Sequence, residues 1–380
     1  MAFTSVRLYN FRNLANTTVA TDAREVFLVG ENGQGKTNFL ESIYFVCYAS
    51  SFRTRRDEIM RRTGEQEMAV EGRFHADDEP HSVLVKQIGR TKEIQLDGKG
   101  ISDRQEIVSN IPCIVFCHDD IAFVTGGPDM QRWFMNQTQT LLEPGFIAEL
   151  RRYTRVLKAR NAALKDARTD LLDVLDHQLV EAGIPLLLRR ADLTSRFSDT
   201  LRELFASVFG GERELRLTYR PSWSEPEDEL EGSHADEPPL AEPANTESYA
   251  AQIREQLAAG RDRDLDMRTS TRGPHRDRFP FALDRRPLTD VASTGQLRLV
   301  SLILRVSQAQ LLARVTGRRP VLLLDDVLLE LDPVRRGRFV DALPDYEQAF
   351  FTFLPDEQYE RFRRDSTHTY TVQAGSIVAG

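Results

Sequence analysis

The sequence predicts an α/β protein in which a mixed sheet carrying a phosphate-binding loop is interrupted by a mostly helical region. Three observations carry this. "GENGQGKT", residues 30–37, matches G-x-x-x-x-G-K-[ST] and lies between an apolar run and a helical pattern. "PVLLLDD", near the far end, is a second apolar run that ends in two carboxylates. The long stretch between them spaces its apolar residues as helices do.

Taken in order, "FTSVRLY" and "NTTVAT" alternate apolar and polar positions, as half-buried strands do. "EVFLVG" reads as a buried strand ending at Gly30. After the loop, Phe39, Leu40, Ile43 and Cys47 mark a helix. "HSVLVKQI", "GRT", "KEIQL" and "DGK" make a hairpin pattern, and "IPCIVFC" is a further strand. Cys113, Cys117 and His118 have no second ligand cluster in the sequence, so that strand is read as buried structure rather than a metal site. Phe146, Leu150, Tyr153, Leu157 and Leu164 open the helical region, and Phe197, Leu201 and Leu204 continue it. Arg160 interrupts this stripe and Pro185 is expected to break it, which excludes a long coiled coil. An apolar helix then spans residues 297–315, and "QAFFTF" and "HTYTVQ" are later strands. The expected division is an α/β part at 1–118, a helical region at 119–267 and the rest of the α/β domain at 268–380.

A chain of 380 residues, 41% hydrophobic and 28% charged, is ordinary for a soluble protein of two or three domains. No apolar run reaches the ~20 residues of a membrane span, and the first residues lack a signal-peptide core. With three cysteines in an odd count, the expectation is a reducing, cytoplasmic setting without membrane association. The net charge of −8 is concentrated. Between Glu225 and Glu247 stand nine carboxylates and no Lys or Arg, within a proline-containing stretch read as an acidic disordered loop at about 222–248. The overall charge therefore does not exclude a basic face elsewhere.

In the loop motif, Gly30, Glu31, Asn32, Gly33, Gln34, Gly35, Lys36 and Thr37 are expected to form an ATP-phosphate cradle. Glycines let backbone N–H groups face phosphate oxygens at a helix N-terminus. Lys36 would reach the β- and γ-phosphates, and the Thr37 hydroxyl would bind Mg²⁺. Asp325 would hold Mg²⁺ directly or through water, and Asp326 would orient the attacking water. "ASTGQ" admits two readings, a capped helix start or a second anion site. Arg53, Arg55, Arg56, Arg61 and Arg62 would line a backbone-directed, salt-dependent DNA face, or form a solvated charged surface.

Together these motifs resemble ABC-type ATPase heads, with Walker A, signature and Walker B in that order. More closely, the chain resembles the RecF family of bacterial recombination and DNA-repair ATPases. "LYNFRN", "GENGQGKTNFLESIY", "SSFRTRRDE", "HDDIAFVTGGPDMQRWFMN", "TSTRGPHRD", "ASTGQLR" and "LLLDDVLLELD" all look like its segments. Out of context, His275-Arg276-Asp277 could be taken for a kinase catalytic loop, but nothing else in the sequence supports a kinase. The resemblance implies that ATP and Mg²⁺ close a homodimer of heads. Ser293, Thr294, Gly295 and Gln296 would act as a signature in trans, with Glu330, Leu331 and Asp332 as the D-loop. It implies an arm in place of long coiled coils, slow ATP hydrolysis, binding to duplex DNA and single-strand/duplex junctions, and action with RecO and RecR to load RecA at gaps. The sequence departs from the family pattern at Leu297, Leu299 and Leu329, where polar residues are usual, in segments expected to face the partner head. Alternatives are a nucleotide-gated DNA scaffold without useful hydrolysis, or an ABC-type subunit of another complex. The length of chain between loop and signature counts against a transporter subunit.

Overall fold

The computed structural model describes residues 2–54, 56–76, 79–102, 105–108, 111–209, 213–223, 246–328, 331–356 and 359–380. The chain forms two compact units, Met1–Asp120 with Leu312–Gly380, and Ile121–Leu311. The first boundary falls two residues from the expected one. The second lies at 311/312, where the sequence reading resumed the head at 268, so residues 268–311 group with the helical unit.

In the first unit, β1 (Ala2–Tyr9), β2 (Thr17–Ala20) and β3 (Glu25–Val29) precede the loop and α1 (Lys36–Tyr48). Next come β4 (Glu67–Ala76), β5 (Glu79–Ile88), β6 (Thr91–Leu96), β7 (Lys99–Ile101), α2 (Gln105–Val108) and β8 (Cys113–Phe116). One six-stranded sheet, ordered β2-β1-β4-β5-β6-β7, is antiparallel throughout. Its hairpins follow the alternating pattern read from the sequence, because each strand buries one face.

The second unit opens with α3 (Ala122–Thr125), α4 (Pro128–Leu142), α5 (Phe146–Lys165) and α6 (Leu172–Phe209). It continues with β9 (Leu215–Leu217), α7 (Thr246–Ala259), α8 (Arg261–Met267), β10 (Phe281–Leu283), β11 (Arg286–Pro287), α9 (Leu288–Val291) and α10 (Thr294–Thr316), whose last turn belongs to the first unit. The long α5 and α6 run antiparallel, as the pairs Arg160–Asp176, Arg152–Glu181 and Arg189–Glu149 show.

Pro185 lies inside the 38-residue α6, contrary to the expected break. A proline costs ~3 kcal/mol in a helix interior. Leu179, Val180, Ile184, Leu186 and Leu187 flank it in one buried cluster. Each contributes ~1.5–3 kcal/mol of burial, so packing outweighs the lost hydrogen bond. Arg160 interrupts the apolar stripe because it is an ion-pair anchor. It is fully buried and donates to Asp176 and Asp264, both at 2.6 Å, and to the Ser270 hydroxyl at 2.8 Å. The acidic stretch is ordered at both margins of its expected range: Ser222 donates to the Gly273 carbonyl, Trp223 is buried, and α7 starts at Thr246. Residues 224–245 lie outside the described residues.

Back in the first unit, β12 (Val321–Leu324), α11 (Pro333–Ala342), β13 (Gln348–Phe353), β14 (Thr367–Gln373) and β15 (Ser376–Ala379) complete the second six-stranded sheet. Its order is β15-β14-β3-β13-β12-β8; every pair is parallel except the β14–β15 edge. β3, β8, β12 and β13 are buried at every position, which is why they read as mostly apolar runs, with Glu25, Gln348 and Thr352 as buried polar exceptions. The order places β13 between the strand that feeds the loop and the strand that ends in the paired carboxylates. No helix among the described residues is long and apolar enough to cross a membrane.

Candidate nucleotide site

The loop leaves β3 at Gly30, whose amide donates to the Phe353 carbonyl at 3.1 Å. A Cβ at Gly30 would lie 2.3 Å from the Val372 carbonyl oxygen, so only glycine allows this approach. Gly35 takes φ 120°, and a Cβ there would meet Leu14 at 2.8 Å. Gly35 caps α1 without a side-chain bond, which leaves the first-turn N–H groups and the positive helix end open to an anion. Lys36 is 3% exposed, and its ammonium donates to the carbonyls of Gly30 at 2.6 Å and Glu31 at 3.2 Å. The cation thus bridges the loop through bonds that phosphate oxygens can replace.

Residues from both ends of the chain brace the loop. Gln34 accepts from Ala374 N at 2.6 Å through its side chain and from Gly375 N at 2.9 Å through its carbonyl. Asn13 donates to the Gly33 carbonyl at 3.4 Å and accepts from Asn38 at 2.7 Å. Behind the loop, the fully buried Glu41 of α1 takes a fork of bonds from Arg12 at 2.8 and 2.7 Å.

β12 delivers the carboxylates. Asp325 accepts from the Thr37 hydroxyl at 2.8 Å and more weakly from Thr352 at 3.3 Å. Asp326 sits in the left-handed region at φ 53°; its N–H donates to Thr352 Oγ1, and its Oδ1 accepts from the same hydroxyl, both at 2.8 Å. Burial, then the neighbouring Asp326 charge, pushes Asp325 up to about 6, against the opposing hydrogen bonds of Thr37 and Thr352. Among the described residues no cation is bonded to either carboxylate. A hydroxyl and a part-buried carboxylate oxygen in contact, beside a second carboxylate, are a donor set that suits a hard divalent cation.

The family model described as the RecF/RecN/SMC N terminal domain matches residues 2–377. The chain is 38% identical over 371 residues to the DNA replication and repair protein RecF of Treponema pallidum (strain Nichols), covering 97% of this chain and 98% of that protein. The chain belongs to the RecF family. It is also 33% identical over 381 residues to the RecF of Anaeromyxobacter sp. (strain Fw109-5), covering 99% of both. Among solved structures, one of a recombination mediator protein, RecF-ATP in the RecFOR pathway, matches with a TM-score of 0.87 at 23% identity, covering 100% of this chain and 99% of that one. An SMC head bound to the C-terminal winged-helix domain of ScpA matches at TM-score 0.55 and 14% identity, covering 100% and 97%. The fold is therefore the ABC-type ATPase head interrupted by a mostly helical arm.

The remaining RecF-like segments fall as follows. Ser293 and Gln296 bond reciprocally at the start of α10: Ser293 N to Gln296 Oε1 at 2.9 Å, and Gln296 N to Ser293 Oγ at 3.3 Å. This is a capping box, so the helix-start reading is realised, with Ser293, Thr294 and Gly295 exposed. Leu297 is half-buried, while Leu299 is 1% exposed and belongs to the core rather than to a surface facing a partner. Leu331 is buried, and Asp332 caps α11 by accepting from Val334 N and Arg335 N. Leu329 and Glu330 lie outside the described residues, as does Arg55.

Of the other arginines read as a DNA face, Arg61 donates to the carbonyls of Gln66 and Gly89, and Arg62 to the Leu14 carbonyl and Asn16. Both residues are half-buried and bonded within the first unit. Arg53 is exposed and bonded to Asn38, and Arg56 is exposed. In "GPHRD", Asp277 is buried and accepts from Arg190 at 2.7 Å, the Tyr219 hydroxyl at 2.6 Å and Ser222 N at 2.9 Å. The motif locks the second unit together and offers no catalytic loop. Sequence reasoning missed Thr352, Asn13 and the 374–375 turn. One signal for Thr352 was a lone hydroxyl within an otherwise apolar strand core, "AFFTF".

Proposed function

We propose that the chain acts in DNA replication and repair as a RecF-type, ATP-dependent DNA-binding protein with slow ATP hydrolysis. The observation that carries this is the Thr37–Asp325 hydrogen bond at 2.8 Å, which joins the loop to the carboxylates of a strand at the other end of the chain. Support comes from the family and from relatives named DNA replication and repair proteins.

In this reading the α1 N-terminus and Lys36 hold the phosphates, and Lys36 exchanges its carbonyl partners for phosphate oxygens. Thr37 and Asp325 would hold Mg²⁺, which would supply neutralisation of phosphate charge. Asp326 accepts a hydrogen bond from the water that attacks the γ-phosphorus; the bond to the leaving ADP oxygen breaks, and ADP and phosphate leave. Two chains close around ATP, with Ser293 and Gly295 of one completing the site of the other and the D-loop beside it. In functional terms the head then comprises 1–118 and 268–380, with 119–267 as its arm. Duplex DNA and single-strand/duplex junctions bind through backbone contacts, with Arg53 and Arg56 as the exposed candidates. RecO and RecR are the partners, RecA loading at gaps the outcome, and the cytoplasm the setting.

The test is light scattering and nucleotide binding with ATP for wild type, Lys36→Ala and Asp326→Asn. Lys36→Ala is expected to lose ATP binding, and Asp326→Asn to bind ATP and accumulate as dimer. Wild-type affinity in Lys36→Ala removes the loop assignment. Dimer lifetimes unchanged by Asp326→Asn favour a nucleotide-gated scaffold without useful hydrolysis.

A further inference from the structure

We propose that Thr352 is a positioning residue for hydrolysis, its hydroxyl aiming the Asp326 carboxylate at the attacking water. The inference rests on the ATPase reading above. In β13, Phe351 pairs with Leu324 of β12, and Thr352 pairs with Leu28 of β3. Thr352 is thus level with Asp325, one step beyond Leu324. Side chains alternate along the strand, so Thr352 shares its face with Phe350, which packs against Phe39 of α1. Phe351 and Phe353 stack on the opposite face. The hydroxyl therefore emerges on the side of α1, where Thr37 also stands.

Every other residue of "QAFFTF" except Gln348 is apolar, and all six are buried. Thr352 is 3% exposed, in a place that valine would fill equally well by shape. What valine lacks is the hydroxyl, which both accepts the Asp326 N–H and donates to its Oδ1, each at 2.8 Å. Among the described residues, these two bonds form a closed ring that holds the left-handed backbone and the carboxylate of Asp326 together. A hydroxyl has one proton, and the shorter distance gives it to Asp326 rather than to Asp325 at 3.3 Å. The two hydroxyls divide the work: Thr37 serves Asp325, and Thr352 serves Asp326.

The experiment compares Thr352→Val and Thr352→Ser by steady-state ATP hydrolysis and by fluorescent ATP-analogue binding. Thr352→Val is expected to lower kcat about tenfold to a hundredfold with nucleotide Kd held within about twofold, and Thr352→Ser to recover most of the rate. In an Asp326→Asn background, Thr352→Val adds no further loss, because both changes disable one unit. Should the valine variant lose its fold, Thr352→Ala against Thr352→Ser carries the same comparison. A Thr352→Val enzyme with wild-type kcat beside an inactive Asp326→Asn overturns this inference alone. So does a loss shared equally by Kd and kcat, or full additivity with Asp326→Asn. A wild type that binds ATP without turnover overturns the ATPase reading as well.

Discussion

Asp325 in the first unit is a part-buried carboxylate and Asp277 in the second a fully buried one, and their surroundings treat them in opposite ways. Asp277 is saturated by the Arg190 guanidinium, a tyrosine hydroxyl and a backbone amide. Asp176 and Asp264 are likewise paired with Arg160. Asp325 has two hydroxyls and a second carboxylate beside it, and its pKa rises to about 6. The saturated carboxylates stitch α5, α6 and the 264–277 segment into one body. Burial first and the Asp326 charge second make ionised Asp325 costly, a cost that a cation would relieve, as expected of a binding site rather than of a structural network.

Removing one partner from the saturated network is expected to have the largest effect. Arg160→Met leaves Asp176 and Asp264 buried without their shared cation, and costs ~3–5 kcal/mol of stability by denaturant titration. A loss under ~1 kcal/mol would mean that the network is dispensable and the contrast between the two regions false.

The next effect is a pH dependence in the same unit. His275 is held between the Tyr153 hydroxyl at Nδ1, 2.7 Å, and the Ser270 carbonyl at Nε2, 2.9 Å. Burial first, then the Arg276 and Arg132 charges, pushes it down to about 4, against the Ser270 bond and the Asp277 charge. The unfolded chain takes up a proton as pH falls below ~6.5, while the folded chain stays neutral until about pH 4. The neutral imidazole's contribution is therefore complete above ~6.5 and declines as pH falls to about 4, by roughly 2–3 kcal/mol. Denaturant titrations at neutral pH and near pH 4.5 should show this decline in wild type and a shallower one in His275→Gln; equal slopes would exclude it.

The smallest effect has the opposite sign and lies at the nucleotide site. The unfolded chain loses the Asp325 proton near 3.8 and the folded chain near 6, so its ionisation penalises the fold, fully so above about 6. Asp325→Asn should raise the stability of the nucleotide-free protein at pH 7.5 by ~1–2 kcal/mol while abolishing ATP turnover. A destabilised Asp325→Asn would place Asp325 with the structural carboxylates.

Much of this was legible along the chain. Most strands of both large sheets, α1 and the buried α10 follow from periodicity, because a strand or helix declares its buried face locally; the short β7 and β15 do not. The loop was legible for the same reason: strand, glycines, lysine and helix are contiguous. Pro185 and Leu299 misled. Helix-breaking propensity and a surface expectation are local arguments, and the packing of α6 and the burial of Leu299 are not. Arg61 and Arg62 show what a run of arginines leaves open, because it does not reveal which carbonyls lie within reach.

The sequence by itself determined most of the elements, the phosphate-loop motif and the placing of Asp325 and Asp326 at the end of an apolar strand. Those depend on residue type at short spacing and on the backbone each residue permits. Only the tertiary structure decided that β13 lies between β3 and β12, that Thr352 therefore meets both carboxylates, and that Gln34 rests on the 374–375 turn. Strand order is set by how buried faces and crossovers pack, an energy shared by the whole sheet and written in no single segment.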